Sequence, residues 1–248
     1  MGFLAPWRLI CGQQIRGESV RGTLVNVAAV LVGSGVGLAI GNRLSERLQR
    51  IITTGLGLST LLIGMQMALK VGNVLVVIAS MVIGGVVGEL LGIESGLERA
   101  GEWLKARARS GSGTFVAGYV TASLVFCVGP MTLLGSIQEG LTGNPDIIYT
   151  KSMLDGAASI AFASSLGVGV SFAAVTVLVF QGALTLLGAQ LAFLLRPEIL
   201  NELTATGGLL ILAIGLLLLD VKRIRVANLL PALVVVVLLT AARLSLGW

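Results

Sequence analysis

The chain has 248 residues, of which 55% are apolar and only 12% are charged, and its mean hydropathy is +0.97. Globular domains ordinarily carry about 25% charged residues, so this composition excludes a soluble enzyme, a disordered chain and a basic nucleic-acid-binding domain. The 17 basic and 12 acidic residues give a net charge of +5 and stand in short clusters between apolar runs, which is typical of the loops of a membrane protein.

Eight apolar stretches, each close to the 20 or so residues that span a bilayer as a helix, follow one another along the chain. The predicted spans are 23–41, 51–69, 73–93, 115–137, 148–167, 170–195, 204–219 and 226–242. Residues 157–195 are uncharged and would measure about 58 Å as one helix, so we expect a break at Gly167-Val168-Gly169. The sequence therefore predicts an all-α polytopic membrane protein with a single transmembrane domain, 23–248.

The distribution of basic residues predicts the orientation of these spans. Ten of the 17 basic residues lie in three predicted loops, 43–50, 99–109 and 222–225. With eight spans these loops share one side of the membrane, which the positive-inside rule assigns to the cytoplasm. Both termini are then expected outside.

The N-terminal extension, residues 1–22, contradicts that orientation, because Arg8, Arg16 and Arg21 would lie outside. It also lacks the apolar core of a signal peptide. Two interpretations stay open: residues 1–19 are not native and translation begins near Val20, or they form a short native tail.

The second and seventh spans resemble each other. When they are aligned, identical residues coincide: Thr53 with Thr204, Gly57 with Gly208, and Ile63-Gly64 with Ile214-Gly215. Weaker matches extend the similarity, so that spans one to three recur as spans six to eight. The offset of five spans is odd, which predicts a three-helix inverted repeat of the kind found in secondary transporters. The alternative is chance similarity between leucine- and glycine-rich helices.

Glycines spaced by four residues predict close helix packing in the first and third spans. They are Gly33, Gly37 and Gly41, and Gly84, Gly88 and Gly92. The pattern does not distinguish packing within one chain from packing between copies in a homo-oligomer.

The candidate binding site joins a broken fourth span to the start of the fifth. Pro130 lacks an N–H and Gly129 permits a sharp turn, so this span either opens into a binding element or carries a simple proline kink. Lys151, Asp155 and Ser159 share one helix face, and the end of the fourth span adds two further polar residues, Gln138 and Glu139. For Asp155 the alternative is an interfacial charge that favours a helix start.

Enzyme chemistry is not expected. The sequence has no histidine, and so it lacks the commonest general base and metal ligand. No nucleophile–base pair stands out elsewhere. We expect no catalytic residue, no metal site and no cofactor.

Two strings stand out: Phe126-Cys127-Val128-Gly129-Pro130-Met131 and Thr150-Lys151-Ser152-Met153-Leu154-Asp155-Gly156. With Gly22-Thr23-Leu24-Val25-Asn26 and Val226-Ala227-Asn228-Leu229-Leu230-Pro231, they resemble the bacterial membrane proteins of the domain-of-unknown-function 554 family. The resemblance implies a multi-pass protein of the bacterial cytoplasmic (inner) membrane and carries over no substrate or catalytic residue.

Transport of an unknown small solute or ion is the function we expect from these features. The expected partners are the lipid bilayer and that solute, with no nucleic acid. The alternative is a non-transporting membrane protein that assists assembly or regulation. Polar groups converging inside the bundle favour transport, and a dry interior favours the alternative.

Overall fold

The computed structural model describes residues 20–246, apart from Asn42, Arg109 and Arg223. This part of the chain forms eleven α-helices and two short 3-10 helices. The α-helices are α1 (Arg21–Gly41), α2 (Glu46–Ala68), α3 (Val74–Leu91), α4 (Ile93–Arg107), α5 (Phe115–Val128), α6 (Pro130–Thr142), α7 (Asp146–Leu166), α8 (Gly169–Leu186), α9 (Gly188–Leu191), α10 (Pro197–Leu218) and α11 (Pro231–Leu246). Residues 1–19 of the predicted extension lie outside the described residues.

The helices have the lengths and compositions of a polytopic membrane protein, which confirms the predicted fold class. Six are long and apolar enough to cross a bilayer: α1, α2, α3, α8, α10 and the segment Val226–Leu246 that contains α11. The pair α5–α6, bent by 59°, makes a seventh candidate when its two helices are counted as one span. α7 has 21 residues but is too polar to be recognised as a span by composition. A helix thus stands at each of the eight predicted positions.

Contacts between α1 and α7 show how the polar helix lies in the bundle. Gly33 lies beside Gly156 and Gly41 beside Ser164, so the two helices run parallel and in contact along their length. α3 and α11 instead run antiparallel. These directions agree with the predicted order of spans, in which α1 and α7 point the same way and α3 and α11 point opposite ways.

The predicted bounds of the sixth and seventh spans, 170–195 and 204–219, differ most from the helices of the structure, α8 and α10. The expected break is present, since Gly167 separates α7 from α8 with φ 82°, a conformation that favours glycine. However, α8 ends at Leu186, where Gly188 packs closely against the backbone of α6. α10 then begins at Pro197, seven residues before the predicted start of the seventh span. Uncharged residues on both sides of this turn hide it from a hydropathy argument.

The three predicted basic loops gather at one end of the bundle. This end, which we call the basic end, holds the C-terminal ends of α1, α3, α7 and α10 and the whole of α4. Thr114 before α5 donates a hydrogen bond to the carbonyl of Leu166 at 2.8 Å, and Arg225 pairs with Glu89 at 2.5 Å. The described basic residues of this end are Arg43, Arg47, Arg50, Arg99, Lys105, Arg107, Lys222 and Arg225.

The glycines predicted to pack fall into two groups. In α1, Gly33, Gly37 and Gly41 lie against the backbone of α7, where an added Cβ would collide with carbonyl groups. In α3, Gly84 and Gly88 lie in the same way against Ala232 and Asn228, at the start of α11. Gly92 has a different role from the predicted one, because it contacts no neighbouring helix and instead ends α3 with φ 62°.

Candidate functional site

Three helices bring four buried polar side chains together inside the apolar bundle. We call these residues the central polar cluster: Asn26 of α1, Lys151 and Asp155 of α7, and Gln181 of α8. Lys151 and Asp155 form an ion pair whose side chains are only 5% and 11% exposed. The amide nitrogen of Asn26 donates hydrogen bonds to Asp155 Oδ2 at 3.0 Å and to Gln181 Oε1 at 2.9 Å. The neutral amide of Asn26 thus links the charged pair to Gln181.

The spacing of residues along the helices explains how the cluster forms. Lys151 and Asp155 are four residues apart and so share a face of α7. Gly156 follows Asp155 and lies against α1 beside Gly33, so the two backbones approach closely. This approach places the short side chain of Asn26 within reach of Asp155. From the helix rise, Asn26 lies about 8 Å and Asp155 about 14 Å from the helix ends opposite the basic end.

Buried polar atoms without a hydrogen-bond partner concentrate near this cluster. Among the residues that the structure describes, six such side-chain atoms occur: Asn26 Oδ1, Ser34 Oγ, Ser136 Oγ, Glu139 Oε2, Ser159 Oγ and Glu202 Oε2. The first five belong to α1, α6 and α7, which pack on one another. An unpaired buried polar group costs about 1–3 kcal/mol. Several of them in one region therefore indicate a place where water or a solute binds.

The broken span reaches the cluster through its first half. Gly129 is extended, and Pro130 starts α6 at an angle of 59° to α5. The carbonyl of Phe126, which the proline deprives of its helical partner, accepts a hydrogen bond from Thr132 Oγ1 at 2.8 Å. Cys127, buried at the end of α5, lies close enough to Lys151 and Asp155 to interact electrostatically with both.

The remaining predicted site residues lie at different distances from the ion pair. Ser159 is fully buried, one turn beyond Asp155, and its hydroxyl has no partner among the described residues. Glu139 is also buried, but its carboxylate accepts a hydrogen bond from the backbone N–H of Gly22 at 2.8 Å. It therefore caps the start of α1, one helical turn from Asn26. The side chain of Gln138 is half-buried and forms no hydrogen bond within the described part of the chain.

Sequence reasoning missed two members of the cluster and a second buried carboxylate. Asn26 drew no attention as a site residue, although an asparagine inside an apolar span is itself a signal. Gln181, an uncharged polar residue inside the predicted sixth span, is not among the site residues that the sequence predicts. Glu202 is 2% exposed and accepts a hydrogen bond from the backbone of Asn73 at 2.5 Å. The sequence analysis puts Glu202 just before the predicted seventh span, 204–219, whereas Glu202 lies inside α10.

A second polar network ties α3 and α4 to the loop before α11 at the basic end. Glu89 accepts hydrogen bonds from Arg225 at 2.5 Å and from the side-chain amide of Asn228 at 2.6 Å. The carboxylate of Glu94 accepts from the N–H of Ala227 at 2.7 Å. Partial burial raises the pKa of the Glu94 carboxyl above its ordinary value. This network closes the bundle at the basic end, where α3 and α4 meet the loop before α11.

A polar cavity opens at the same end of the bundle. Its volume is about 610 Å³ and it lies between α2 and the C-terminal ends of α7 and α10. It is lined by Glu46, Gln49, Arg50, Thr53, Thr54, Ser165, Leu218, Leu219 and Asp220. Both acidic and basic side chains reach it, so it can hold water or a polar solute at the basic end.

Comparisons with known proteins place the chain in a family. It is 33% identical over 228 residues to "Uncharacterized protein YqgA" of Escherichia coli (strain K12), which covers 90% of this chain and 97% of that protein. It is 28% identical over 218 residues to "Uncharacterized membrane protein YdfK" of Bacillus subtilis (strain 168), covering 86% and 93%. No solved structure matches the chain. The model of the family described as "Protein of unknown function (DUF554)" matches residues 21–241 and confirms the resemblance drawn from the motifs, so the chain belongs to this family.

Proposed function

We propose that the protein transports a small solute or ion across the bacterial cytoplasmic membrane, with the central polar cluster as its binding site. The buried ion pair of Lys151 and Asp155 carries this proposal. A charged side chain at the centre of a membrane helix costs about 2.5–3.5 kcal/mol. A protein with a buried ion pair is seldom more stable than the same protein with apolar side chains of the same volume at those positions. The presence of the pair between apolar helices is therefore better explained by binding than by stability.

The packing of α2 against α10 supports the inverted repeat that this proposal invokes. Gly64 lies against Gly208, and Gly57 lies against Gly215. In the sequence alignment Gly57 corresponds to Gly208 and Gly64 to Gly215. The repeat therefore maps each of these two contacts onto the other. A two-fold axis between related elements produces such reciprocity. In inverted-repeat transporters, substrate sites lie between the two repeats near the midplane.

The charge distribution supports the orientation that the proposal needs. The basic end would face the cytoplasm under the positive-inside rule, with both termini outside. The central polar cluster then lies toward the outer half of the membrane. The polar cavity at the basic end provides a cytoplasmic vestibule, so a solute would move between the two.

The alternative function, an assembly or regulatory partner without transport, is less well supported. Such a protein needs polar groups on its surface, where a partner binds. Here the described residues of α1, α6 and α7 include a buried charged pair and five buried polar atoms without a hydrogen-bond partner. Interior polarity is the feature that distinguishes a transport path from a packed membrane scaffold.

A flux experiment tests the proposal. Purified protein in proteoliposomes is challenged with a panel of labelled ions, amino acids and small organic acids, and uptake is compared with protein-free vesicles. The test variant is the double change Asp155→Asn with Lys151→Met, which removes both charges together and so leaves no unpaired charge. The matched control is Asp146→Asn, on the exposed first turn of the same helix.

Wild-type protein and the Asp146→Asn control should transport the same member of the panel, and the double variant should be at least tenfold slower. Equal flux by the folded double variant would remove the central polar cluster from the path. Failure of the wild type to move any member of the panel, in vesicles where its insertion has been verified, would favour the non-transporting alternative.

A further inference from the structure

We propose that α4 is an interfacial anchor that binds the phosphate groups of anionic phospholipids at the basic end of the bundle. Arg99 and Arg107 would bind the phosphates, and Trp103 would lie between them in the headgroup layer. We call these three residues the Arg–Trp stripe. The stripe lies outside the central polar cluster, and its role does not depend on transport.

α4 runs across the basic end of the bundle rather than along it. At its first turn the Glu94 carboxylate accepts a hydrogen bond from the N–H of Ala227 at 2.7 Å. Two turns later, Gly101 packs against the side chain of Val116. Ala227 and Val116 are each the second residue of a segment that enters the bundle from the basic end, Val226–Leu246 and α5. Both contacts therefore lie at about the same depth, and α4 lies between them in the plane of the membrane surface.

The Arg–Trp stripe faces away from the bundle. Arg99 and Arg107 stand four residues before and after Trp103, so each lies about 40° from it around the helix. Gly101, which contacts α5, lies about 160° from Trp103, on the opposite face. All three side chains of the stripe are exposed, and Trp103 is 65% exposed. The stripe is therefore accessible to a partner outside the bundle.

The two flanks of the stripe differ in polarity, as they do in a helix that lies in a membrane surface. About 80–120° from the centre of the stripe, on one flank, the partly buried residues are Ile93, Leu97 and Leu104. About 100–140° away on the other flank, the exposed residues are Glu98 and Glu102. The apolar flank suits acyl chains and the acidic flank suits water. A tryptophan between them has the position that this residue prefers at membrane–water interfaces.

The charges on α4 favour an anionic partner for the stripe. Glu94 accepts a hydrogen bond from the loop before α11, and Glu102 pairs with Lys105 at 3.9 Å. Among the residues that the structure describes, no carboxylate pairs with Arg99 or Arg107. The stripe thus presents two guanidinium groups and no acid. Guanidinium groups bind phosphate oxygens through paired hydrogen bonds, and basic residues at a bilayer surface attract anionic lipids.

A lipid surface fits the stripe better than a soluble protein does. Leu90 and Leu91, at the end of α3 and just before α4, are 81% and 69% exposed. In a membrane such apolar side chains face acyl chains, so the hydrocarbon layer reaches the level at which α4 begins. An anionic bilayer offers acyl chains, then phosphates, then water. α4 presents its apolar flank, its stripe and its acidic flank in the same order.

Quenching of tryptophan fluorescence by brominated lipids tests the position of the stripe. In the full chain Trp7→Phe and Trp248→Phe leave Trp103 as the sole tryptophan. The protein is reconstituted into phosphatidylcholine vesicles that contain a small fraction of brominated phosphatidylglycerol or of brominated phosphatidylcholine. Bromine atoms near the headgroup should quench Trp103 more strongly than bromine atoms near the acyl terminus, because the stripe lies in the headgroup layer.

The choice of headgroup tests the role of the arginines. Brominated phosphatidylglycerol should quench Trp103 at least about fivefold more effectively, per lipid, than brominated phosphatidylcholine. The preference should disappear in the variant Arg99→Gln with Arg107→Gln, and it should weaken at high salt, which screens exposed charges. Arg99→Lys with Arg107→Lys retains both charges and should keep most of the preference. The matched control, Arg43→Gln with Arg47→Gln, removes two exposed arginines from the same end of the bundle and should keep all of it.

Several results would overturn this assignment of the stripe. If no brominated lipid quenches Trp103, the stripe faces water or a soluble partner. Equal quenching by the two lipids, or equal preference in the glutamine variant and its control, would refute the binding of anionic headgroups. If the glutamine variant does not fold, the salt dependence and the lysine variant decide, and a preference that salt leaves unchanged would refute the proposal. No solute or flux enters these measurements, so their outcome is independent of the proposed transport.

Discussion

The ion pair in the central polar cluster makes a quantitative prediction about stability. Asp155→Asn keeps the acceptor for the Asn26 amide but leaves the Lys151 ammonium without its counter-charge. Both side chains are almost fully buried. Breaking a buried pair by removing one partner costs about 3–5 kcal/mol. At roughly 2–4 °C per kcal/mol for a chain of this length, the unfolding temperature should fall by roughly 6–20 °C.

The double variant Asp155→Asn with Lys151→Met should recover most of this loss. Replacing a buried pair by uncharged side chains of similar volume is often neutral, so we expect the double variant within about 1 kcal/mol of the wild type. The strong coupling between the two changes is the signature of direct contact. Lys151→Met alone should be destabilised to a similar degree as Asp155→Asn alone.

The measurement is thermal unfolding of purified protein in one detergent, followed by circular dichroism of the helical signal. Asp146→Asn, on the exposed first turn of α7, is the control and should cost less than about 1 kcal/mol. If Asp155 is only a charge at a helix start, its change to asparagine should cost no more than the control. Additive losses in the double variant would also refute the reasoning.

Three further predictions concern packing, topology and pH. Gly33→Leu should strongly destabilise the contact of α1 with α7, whereas Gly35→Ala, which meets no neighbour, should raise stability by up to about 1 kcal/mol; thermal unfolding decides. Reporter fusions test orientation at three positions: Arg107, Gly143 and Arg225. They should report inside, outside and inside, and an outside signal at the last would reject the eight-span topology. Because burial raises the pKa of Glu94, its contribution to stability should be present near pH 4 and be lost as pH rises through its folded pKa. Glu94→Gln should remove that part of the pH dependence, while Glu46→Gln, an exposed control, should retain it.

Part of the candidate site could be read from the sequence because it depends on one helix. Lys151, Asp155 and Ser159 are spaced by four residues, and this spacing alone puts them on one face of α7. The sequence also located the break at Gly129 and Pro130, since proline removes a helical hydrogen bond wherever it stands. The hydroxyl of Thr132 that compensates this loss was not predicted, because the compensation depends on how the chain turns.

The sequence by itself determined that the protein is an all-helical membrane protein, because hydropathy and charge are properties of each segment alone. Only the tertiary structure decided which helices meet. Asn26 and Gln181 lie more than 150 residues apart, and they join Asp155 because glycines let α1 and α7 approach closely. Long-range packing also places the Glu139 carboxylate against the backbone N–H of Gly22 at the start of α1, and it ends α8 at Leu186. A residue's partners across a bundle depend on backbone approach, which no local pattern encodes.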